Sequence, residues 1–333
     1  QFPAIMASPS ICYLDSAATA CMPAAVRQTL YDFYGSISGN VHRGLYAGAE
    51  QVTTRYEGVR QQAASFIGAA QAREIIFTAG ATDGINAIAH LWADRVLRPG
   101  DSIVVTQAEH HSQLVVWQEV AKRTGANLRM LPIDQTTWTV DLAQSRHLID
   151  ETVKLLAVTL DSNVLGPIWG VGDELLAELI EMVKPYGTCV ALDAAQRVAH
   201  APIDVRALDV DFLAFSAHKM GGPTGLGVLY AHERRHGQMQ PYRFGGGMVH
   251  TVGFEQSTWL QPPHCFEAGT PPIAQVVAFG ALLDFYAANV DWRQLRQHEA
   301  GLTVQLRNAL EKIQGVHVLG NRAGQAAQGH LVS

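Results

Sequence analysis

Between residues 70 and 240 the sequence alternates between short apolar runs and longer stretches of helical periodicity. The apolar runs are bounded by glycine, proline and polar residues, which is typical of buried strands. Strands that alternate with helices usually lie parallel in one sheet, with helices on both faces. The sequence therefore predicts an α/β fold with a mainly parallel sheet. The candidate site residues come directly after strands, where open α/β sheets bind ligands.

One lysine stands at the end of a predicted strand. Residues 211–230 read DFLAFSAHKMGGPTGLGVLY, so Lys219 follows an apolar run and precedes a glycine-rich turn. A lysine amine becomes a nucleophile when its site lowers its pKa, and Schiff-base formation is a common use of such a lysine. The residues alone leave two interpretations open, a surface lysine at a strand end and a Schiff-base lysine.

An aspartate stands at the end of an earlier predicted strand. Residues 188–196 read TCVALDAAQ, in which Asp193 ends an apolar run. A strand-end carboxylate upstream of a strand-end lysine suits pyridoxal 5′-phosphate (PLP). The lysine would carry this cofactor as a Schiff base, and the carboxylate would keep the pyridine nitrogen protonated. The pair therefore predicts a PLP-dependent enzyme.

The motifs around these two residues resemble those of the class V aminotransferases, and within that family most closely the cysteine desulfurases of the SufS/CsdA-like subgroup. The matching motifs are ALDAAQ at 191–196, FSAHK at 215–219, GGPTGLGVLY at 221–230 and FEAGTPP at 266–272. The resemblance implies fold type I of the PLP-dependent transferases. Its mainly parallel large-domain sheet has helices on both faces, and a small α/β domain accompanies it.

The resemblance also implies the domain boundaries and an incomplete small domain. The PLP-binding large domain would comprise residues 13–260, and the small domain would comprise 1–12 and 261–333. The family extends further than this sequence, so we expect the persulfide-forming cysteine and the arginine that binds the substrate carboxylate to be missing. We therefore expect this chain by itself to be inactive. The C-terminal pattern predicts a helix at Trp292–Ile313 and a short strand at Val316–Leu319.

In the family, the cofactor phosphate is held by a βα turn and by the residues around the lysine. The resemblance assigns this role to Thr82, Ser216 and His218. It assigns Thr270 to the phosphate site of the neighbouring subunit, which implies a homodimer with shared active sites. On the residues alone, Thr82 can also be a helix cap and Thr270 part of a Gly-Pro turn.

The resemblance assigns the remaining roles to residues beside the cofactor ring. His110, in the EHH motif, would stack on the pyridine ring and take part in catalysis together with Lys219. Gln196 would contact the phenolic oxygen, and Asn163 would lie near that oxygen and the substrate carboxylate. On the residues alone, His110 can also belong to a structural polar network and Asn163 to an ordinary turn.

Composition excludes several other classes of function. The 333 residues carry a net charge of −6, and no run of basic residues stands out, so nucleic-acid binding lacks electrostatic support. No apolar run reaches the roughly 18 residues that a membrane span requires. The four cysteines lack the spacing of a metal or redox motif, which fits a reducing cytoplasm. Cys265 lies beside the FEAGTPP motif, where the family tends to have a basic residue.

Taken together, these observations predict a cytoplasmic, PLP-dependent cysteine desulfurase. It would convert L-cysteine to L-alanine and pass the sulfur, through an enzyme persulfide, to an acceptor protein for iron–sulfur cluster assembly. The alternatives are a selenocysteine lyase acting on L-selenocysteine, another class V aminotransferase-like enzyme, and a catalytically inactive PLP-binding protein. No metal is predicted.

Overall fold

The computed structural model describes residues 1–7, 10–37, 39–42, 44–320 and 329–333. Its α-helices, in chain order, are α1 (Pro3–Ala7), α2 (Ala24–Asp32), α3 (Ala47–Phe66), α4 (Ala81–Ile88), α5 (Asp94–Val96), α6 (His111–Thr124), α7 (Leu142–Ser145), α8 (Glu174–Val183), α9 (Glu233–His236), α10 (Ile273–Asn289) and α11 (Trp292–Leu310). Its strands are β1 (Ile75–Thr78), β2 (Ser102–Thr106), β3 (Asn127–Leu131), β4 (Ile133–Asp134), β5 (Thr139–Val140), β6 (Val153–Thr159), β7 (Asp161–Ser162), β8 (Gly166–Pro167), β9 (Cys189–Asp193), β10 (Phe212–Ser216), β11 (Gly227–Ala231), β12 (Val249–Val252) and β13 (Ser257–Trp259).

The chain forms two compact units, each built from several segments of the sequence. Unit 1 consists of residues 1–92, 203–209 and 214–290, and unit 2 of residues 93–202, 210–213 and 291–333. The boundaries of these two units differ from the predicted domain boundaries. The predicted domain boundaries therefore remain a prediction.

Unit 2 contains four parallel strands in the order β3, β2, β6, β9. Every residue of β9 is buried, as is nearly all of β6, which explains why these strands read as continuous apolar runs. The register pairs Thr159, at the end of β6, with Asp193, at the end of β9. The carboxyl ends of these strands therefore present polar side chains at one edge.

Unit 1 contains the antiparallel pair β1 and β11, in which Thr78 lies opposite Gly227. Helices α2 and α3 pack on α10, whose sequence is apolar nearly all round, as expected of a buried helix. Close approach requires a glycine on α10: a Cβ atom at Gly280 would lie 2.5 Å from Val59 Cγ2 of α3. Helix α3 also contacts β1, the strand that leads into α4.

The predicted α/β architecture with a large, mainly parallel sheet is confirmed. The helix predicted at Trp292–Ile313 is present and ends at Leu310. The strand predicted at Val316–Leu319 is wrong, because these residues have no ladder partner among the residues that the structure describes. The Val316 N–H donates to the Ile313 carbonyl at 3.2 Å, and the Leu319 N–H donates to the Ser333 carbonyl at 2.8 Å.

No single helix in the described parts of the chain is both long and apolar enough to cross a membrane. One bent pair, α10 with α11, meets the requirement by length and composition only when the two helices are taken together.

Candidate active site

Lys219 lies in a 3-10 turn, Ala217–Met220, that directly follows β10. The turn ends at Gly221, whose φ of 89° favours glycine, and a Cβ atom at Gly222 would lie 2.9 Å from the Ala217 carbonyl oxygen. The glycines that follow the lysine therefore allow the chain to turn back within a few residues. The Lys219 side chain is half-buried, and its ammonium group donates a 2.5 Å hydrogen bond to the Ala17 carbonyl.

The segment that contains Ala17 was missed by the sequence interpretation, although it contacts the lysine turn twice more. The Ala20 N–H donates to the His218 carbonyl at 3.0 Å, and the Thr19 hydroxyl lies 3.1 Å from His218 Nδ1. Burial, and second the charge of Lys219, lower the pKa of His218. His218 is therefore a neutral hydrogen-bonding group near pH 7 rather than a cation.

A hydrogen bond joins the start of α4, which follows β1, to the end of β10. The Ser216 hydroxyl accepts a 2.7 Å hydrogen bond from the backbone N–H of Ala81, the first residue of α4. Thr82 is the second residue of this eight-residue helix and is exposed. Backbone N–H groups at a helix start, together with hydroxyl groups beside them, suit a phosphate.

Three predicted residues of unit 1 lie around one cavity of about 630 Å³, namely Thr82, Ser216 and His218. Arg243 also lines it, and its guanidinium donates to the Asp83 carboxylate at 2.6 Å. Arg243 was missed, and the only sequence signal is its position just before the glycine run 245–247. A cavity of this size, with hydroxyl groups, an imidazole and a guanidinium in its wall, fits a phosphorylated ligand.

Thr270 is exposed and is not among the residues that line this cavity. It follows Gly269, which adopts a φ of 95° and whose N–H donates to the Gly246 carbonyl at 2.7 Å. The hydrogen bond fixes the turn that carries the threonine beside the glycine run. The predicted role of Thr270 in a neighbouring subunit remains a prediction.

Asp193 is the last residue of β9 and is 3% exposed. Its Oδ1 atom accepts a 2.8 Å hydrogen bond from the Ala195 N–H. Gln196, three residues later, is also buried and precedes the 3-10 turn Arg197–Ala199. A buried carboxylate at a strand end is costly unless it is paired, so this position suits contact with a cationic group.

His110 caps the start of α6, and its ring is exposed. Its Nδ1 atom accepts a 3.1 Å hydrogen bond from the Ser112 N–H. Because Nδ1 is an acceptor, the neutral ring carries its proton on Nε2. The cap fixes the ring at the end of the loop after β2.

The neighbouring Glu109 was not singled out in the sequence. Its Oε1 atom accepts hydrogen bonds from the Thr106 hydroxyl at 2.7 Å and from the Thr159 N–H at 3.1 Å, so it joins the ends of β2 and β6. Burial raises the pKa of Glu109 to about 8, and its hydrogen bonds only partly oppose this. The carboxyl is therefore mostly protonated at neutral pH.

Asn163 lies in the turn between β7 and β8 and is partly exposed. The buried Asp161, at the start of β7, forms two hydrogen bonds of 2.7 Å with Arg197, which also binds Asp173 at 2.7 Å. Burial opposes ionisation of Asp161, but Arg197 holds the pKa of this carboxyl below its usual range. These ion pairs hold the β7–β8 hairpin, whose turn contains Asn163, against the residues that follow β9.

Two of the four cysteines, Cys189 and Cys265, are buried. Cys189 is fully buried within β9. Burial raises the pKa of the Cys265 thiol to about 12, so this thiol is protonated at neutral pH and is a weak nucleophile. Cys12 is exposed and Cys21 is partly exposed.

Comparisons with known proteins agree on one family. The profile described as "Aminotransferase class-V" matches residues 12–332. A "Cysteine desulfurase" of Haloferax volcanii is 39% identical over 309 residues, which cover 92% of this chain and 71% of the relative. A "Probable cysteine desulfurase" of Halalkalibacterium halodurans is 41% identical over 314 residues, covering 94% and 76%. The crystal structure of the cysteine desulfurase CsdA from Escherichia coli superposes with a TM-score of 0.88 at 38% identity, covering 100% of this chain and 80% of that one.

Proposed function

Because the chain belongs to the class V aminotransferase family, we propose that it is a PLP-dependent cysteine desulfurase. Relatives that share 39–41% of its residues are named for this activity. The observation that carries the proposal is the half-buried Lys219 at the end of β10, within the FSAHK motif. The substrate is L-cysteine, and the products are L-alanine and sulfur in a persulfide.

PLP fits the residues of this chain. In unit 1, Lys219 would hold the cofactor covalently, while Thr82, Ser216 and His218 would bind its phosphate around the 630 Å³ cavity. The lowered pKa of His218 makes it a neutral hydrogen-bond donor to phosphate, so Arg243 and the start of α4 supply the positive potential.

The residues proposed for the cofactor ring belong to unit 2. Asp193 would accept a charge-assisted hydrogen bond from the ring nitrogen, and Gln196 would donate to the phenolic oxygen. His110 would lie against the ring, with its orientation set by the hydrogen bond from Ser112. Asn163 would contact the same phenolic oxygen and the substrate carboxylate. When bound, PLP supplies an electron-withdrawing ring that accepts electrons from the substrate Cα.

In the proposed reaction, the Lys219 amine would hold PLP and would then move the proton at the substrate Cα. The orientation of that amine is set by the turn that ends at Gly221. A cysteine thiolate accepts the substrate sulfur to form the persulfide, and its sulfur passes to an acceptor protein. The high pKa of Cys265 and the burial of Cys189 disfavour these two thiols for that step.

Thr270 is proposed to contact the phosphate of a neighbouring subunit, which requires a homodimer. The acceptor protein, a role in iron–sulfur cluster assembly and a cytoplasmic location are parts of the same proposal. It includes no metal in the reaction and no nucleic-acid partner.

The test is a product assay of the purified full-length protein with L-cysteine, L-selenocysteine, and an amino acid with a keto acid, all under reducing conditions, because residues 1–333 by themselves are expected to be inactive. We expect alanine and sulfide from L-cysteine in equal amounts. A strong preference for L-selenocysteine would identify a selenocysteine lyase, and amino transfer alone would identify an aminotransferase. PLP binding with no turnover of any substrate would identify a catalytically inactive PLP-binding protein. Each of these last three results would refute the desulfurase proposal.

A further inference from the structure

Two histidines and a glutamate from three separate segments of unit 1 converge outside the proposed cofactor site. His42 belongs to the loop before α3, Glu57 to α3, and His264 to the 3-10 turn His264–Phe266. One ligand atom from each residue lies within 4.8 Å of the other two. We propose that these three side chains form a binding site for a divalent transition metal, with Zn²⁺ as the ion that fits best.

The separation between His42 and Glu57 matches the size of such an ion. His42 Nε2 lies 3.4 Å from Glu57 Oε1, and the centroids of the two imidazole rings are 5.2 Å apart. With bonds of about 2.0–2.1 Å to nitrogen or oxygen, two ligands of a tetrahedral Zn²⁺ lie about 3.3 Å apart. An ion pair between His42 and Glu57 would explain one of these contacts, but it would not require a second imidazole at the same place.

The carboxylate is oriented by a network of charges. Arg60, which is 1% exposed, donates from Nε to Glu57 Oε2 at 2.9 Å and from Nη2 to Glu57 Oε1 at 3.2 Å. Both terminal nitrogens of the same guanidinium donate to Glu267, at 2.6 and 2.9 Å. Two carboxylates and one guanidinium leave one net negative charge beside the two imidazoles. The site therefore attracts a cation despite the nearby arginine, and Arg60 fixes the orientation of the Glu57 carboxylate.

His42 is held in place by its own contacts. Its backbone N–H donates to the Thr53 hydroxyl at 3.0 Å, and its ring packs edge-on against Tyr56 at 5.7 Å between centroids. The side chains of His42 and Glu57 are 32% and 34% exposed, so an ion can reach them from solvent. Three protein ligands with an open side leave room for a water molecule as the fourth ligand.

The two imidazole nitrogens and one carboxylate oxygen favour a transition metal over Mg²⁺ or Ca²⁺. Imidazole nitrogens favour Zn²⁺ and similar transition metals, whereas Mg²⁺ and Ca²⁺ prefer sites made of oxygen atoms. The neighbouring Cys265 is buried and is not one of the grouped ligand residues. Bound Zn²⁺ would join the loop before α3, α3 itself and the His264–Phe266 turn.

The experiment measures Zn²⁺ retained by the untagged, PLP-containing protein after equilibrium dialysis at micromolar Zn²⁺, together with the thermal midpoint with and without the ion. We expect about one Zn²⁺ per chain, a higher midpoint with Zn²⁺, and no such change with Mg²⁺. The test variants are H42N and H264Q. Asparagine tolerates the positive φ of 68° at position 42.

The matched control is H250Q, because His250 is exposed and lies on β12, outside the cluster. The chain has 14 histidines, and the control separates this site from weak binding by surface imidazoles. We expect both test variants to bind Zn²⁺ roughly tenfold or more weakly, and the control to bind as the parent does. The proposal is overturned if the parent retains no Zn²⁺, or if H42N and H264Q retain as much as H250Q.

Discussion

The backbone N–H of Ala81 and the hydroxyl of Ser216 form a 2.7 Å hydrogen bond between residues that are 135 positions apart in the chain. Ser216 ends β10, and Ala81 begins α4. The bond therefore fixes the start of the helix beside the turn that carries Lys219. Gly227 permits the close approach of the chain here, because a Cβ atom at this position would lie 2.5 Å from Gly80 Cα and 2.7 Å from the Phe215 carbonyl oxygen.

We predict that Gly227→Ala destabilises the protein by about 1–3 kcal/mol, because the added methyl group meets backbone atoms that cannot rotate away. The affinity for PLP should fall as well, since the Gly80 turn must move. Urea unfolding and PLP titration of the apoprotein measure the two effects.

Gly58→Ala is the matched control for that substitution. Gly58 lies within α3, and nothing would approach a Cβ atom there within 4 Å. Alanine should stabilise this helix by about 0.4–1 kcal/mol and leave PLP binding unchanged. Equal stability of the two variants would show that Gly227 is not under steric constraint.

We predict that Lys219→Arg abolishes covalent attachment of PLP while the positive charge is kept, because a guanidinium does not form a Schiff base at neutral pH. Turnover should fall by at least roughly 10²–10⁴-fold, the contribution typical of a positioned general base. Borohydride reduction followed by peptide mass spectrometry should locate the pyridoxyl group on Lys219 in the parent. Lys184→Arg, at an exposed lysine, should keep the label and the activity. A label on another lysine would refute the assignment.

We predict that Asp193→Asn retains the fold and bound PLP but lowers turnover roughly 10- to 100-fold. A hydrogen bond to a charged group contributes about 1.5–3 kcal/mol, and the amide cannot stabilise a protonated ring nitrogen in the same way. Alanine release from L-cysteine is the measurement. Asp134→Asn is the control, because Asp134 also accepts a backbone N–H bond, from Thr136 at 2.7 Å, in a different part of unit 2. Unchanged turnover in Asp193→Asn would show that Asp193 has only a structural role.

The raised pKa of Glu109 predicts that the stability of the protein depends on pH. Its pKa is raised from 4.5 to about 8 in the folded protein, chiefly by burial, so the folded state holds a proton that the unfolded state has released in this window. The contribution of Glu109 to the free energy of unfolding should therefore fall between about pH 4.5 and 8, by up to about 1.4 kcal/mol per pH unit.

Glu109→Gln removes this titration and keeps the size of the side chain. Relative to the parent, the variant should gain stability as the pH rises from 5 to 8, as measured by urea unfolding at several pH values. A constant difference between the two proteins across this range would show that the Glu109 pKa is not raised.

The fold was predictable from sequence because its strands are short and apolar on both faces. Runs such as those of β6 and β9 are stable mainly as strands of a parallel sheet that is covered by helices on both faces. The same reasoning failed for Val316–Leu319. A short apolar run becomes a strand only when a neighbouring edge is available to it, and local pattern does not contain that information.

The site was predictable only where a residue and its motif are adjacent in sequence. Asp193 ends β9 and Lys219 lies in the turn directly after β10, so their positions could be inferred from the pattern. The contacts made by Ala17 and Thr19 to the lysine turn span about 200 residues and have no local signal. Glu109 was missed for another reason: its raised pKa depends on burial by distant elements rather than on its neighbours in the chain.

The discontinuous path of unit 1 has a consequence for its synthesis on the ribosome. Helices α2 and α3 pack on α10, but α3 ends at Phe66 and α10 begins only at Ile273. Translation adds about 5–20 residues per second, so the apolar faces of α2 and α3 are made about 10–40 s before α10. During translation this surface stays exposed, and it becomes part of a core only when most of the chain has been made.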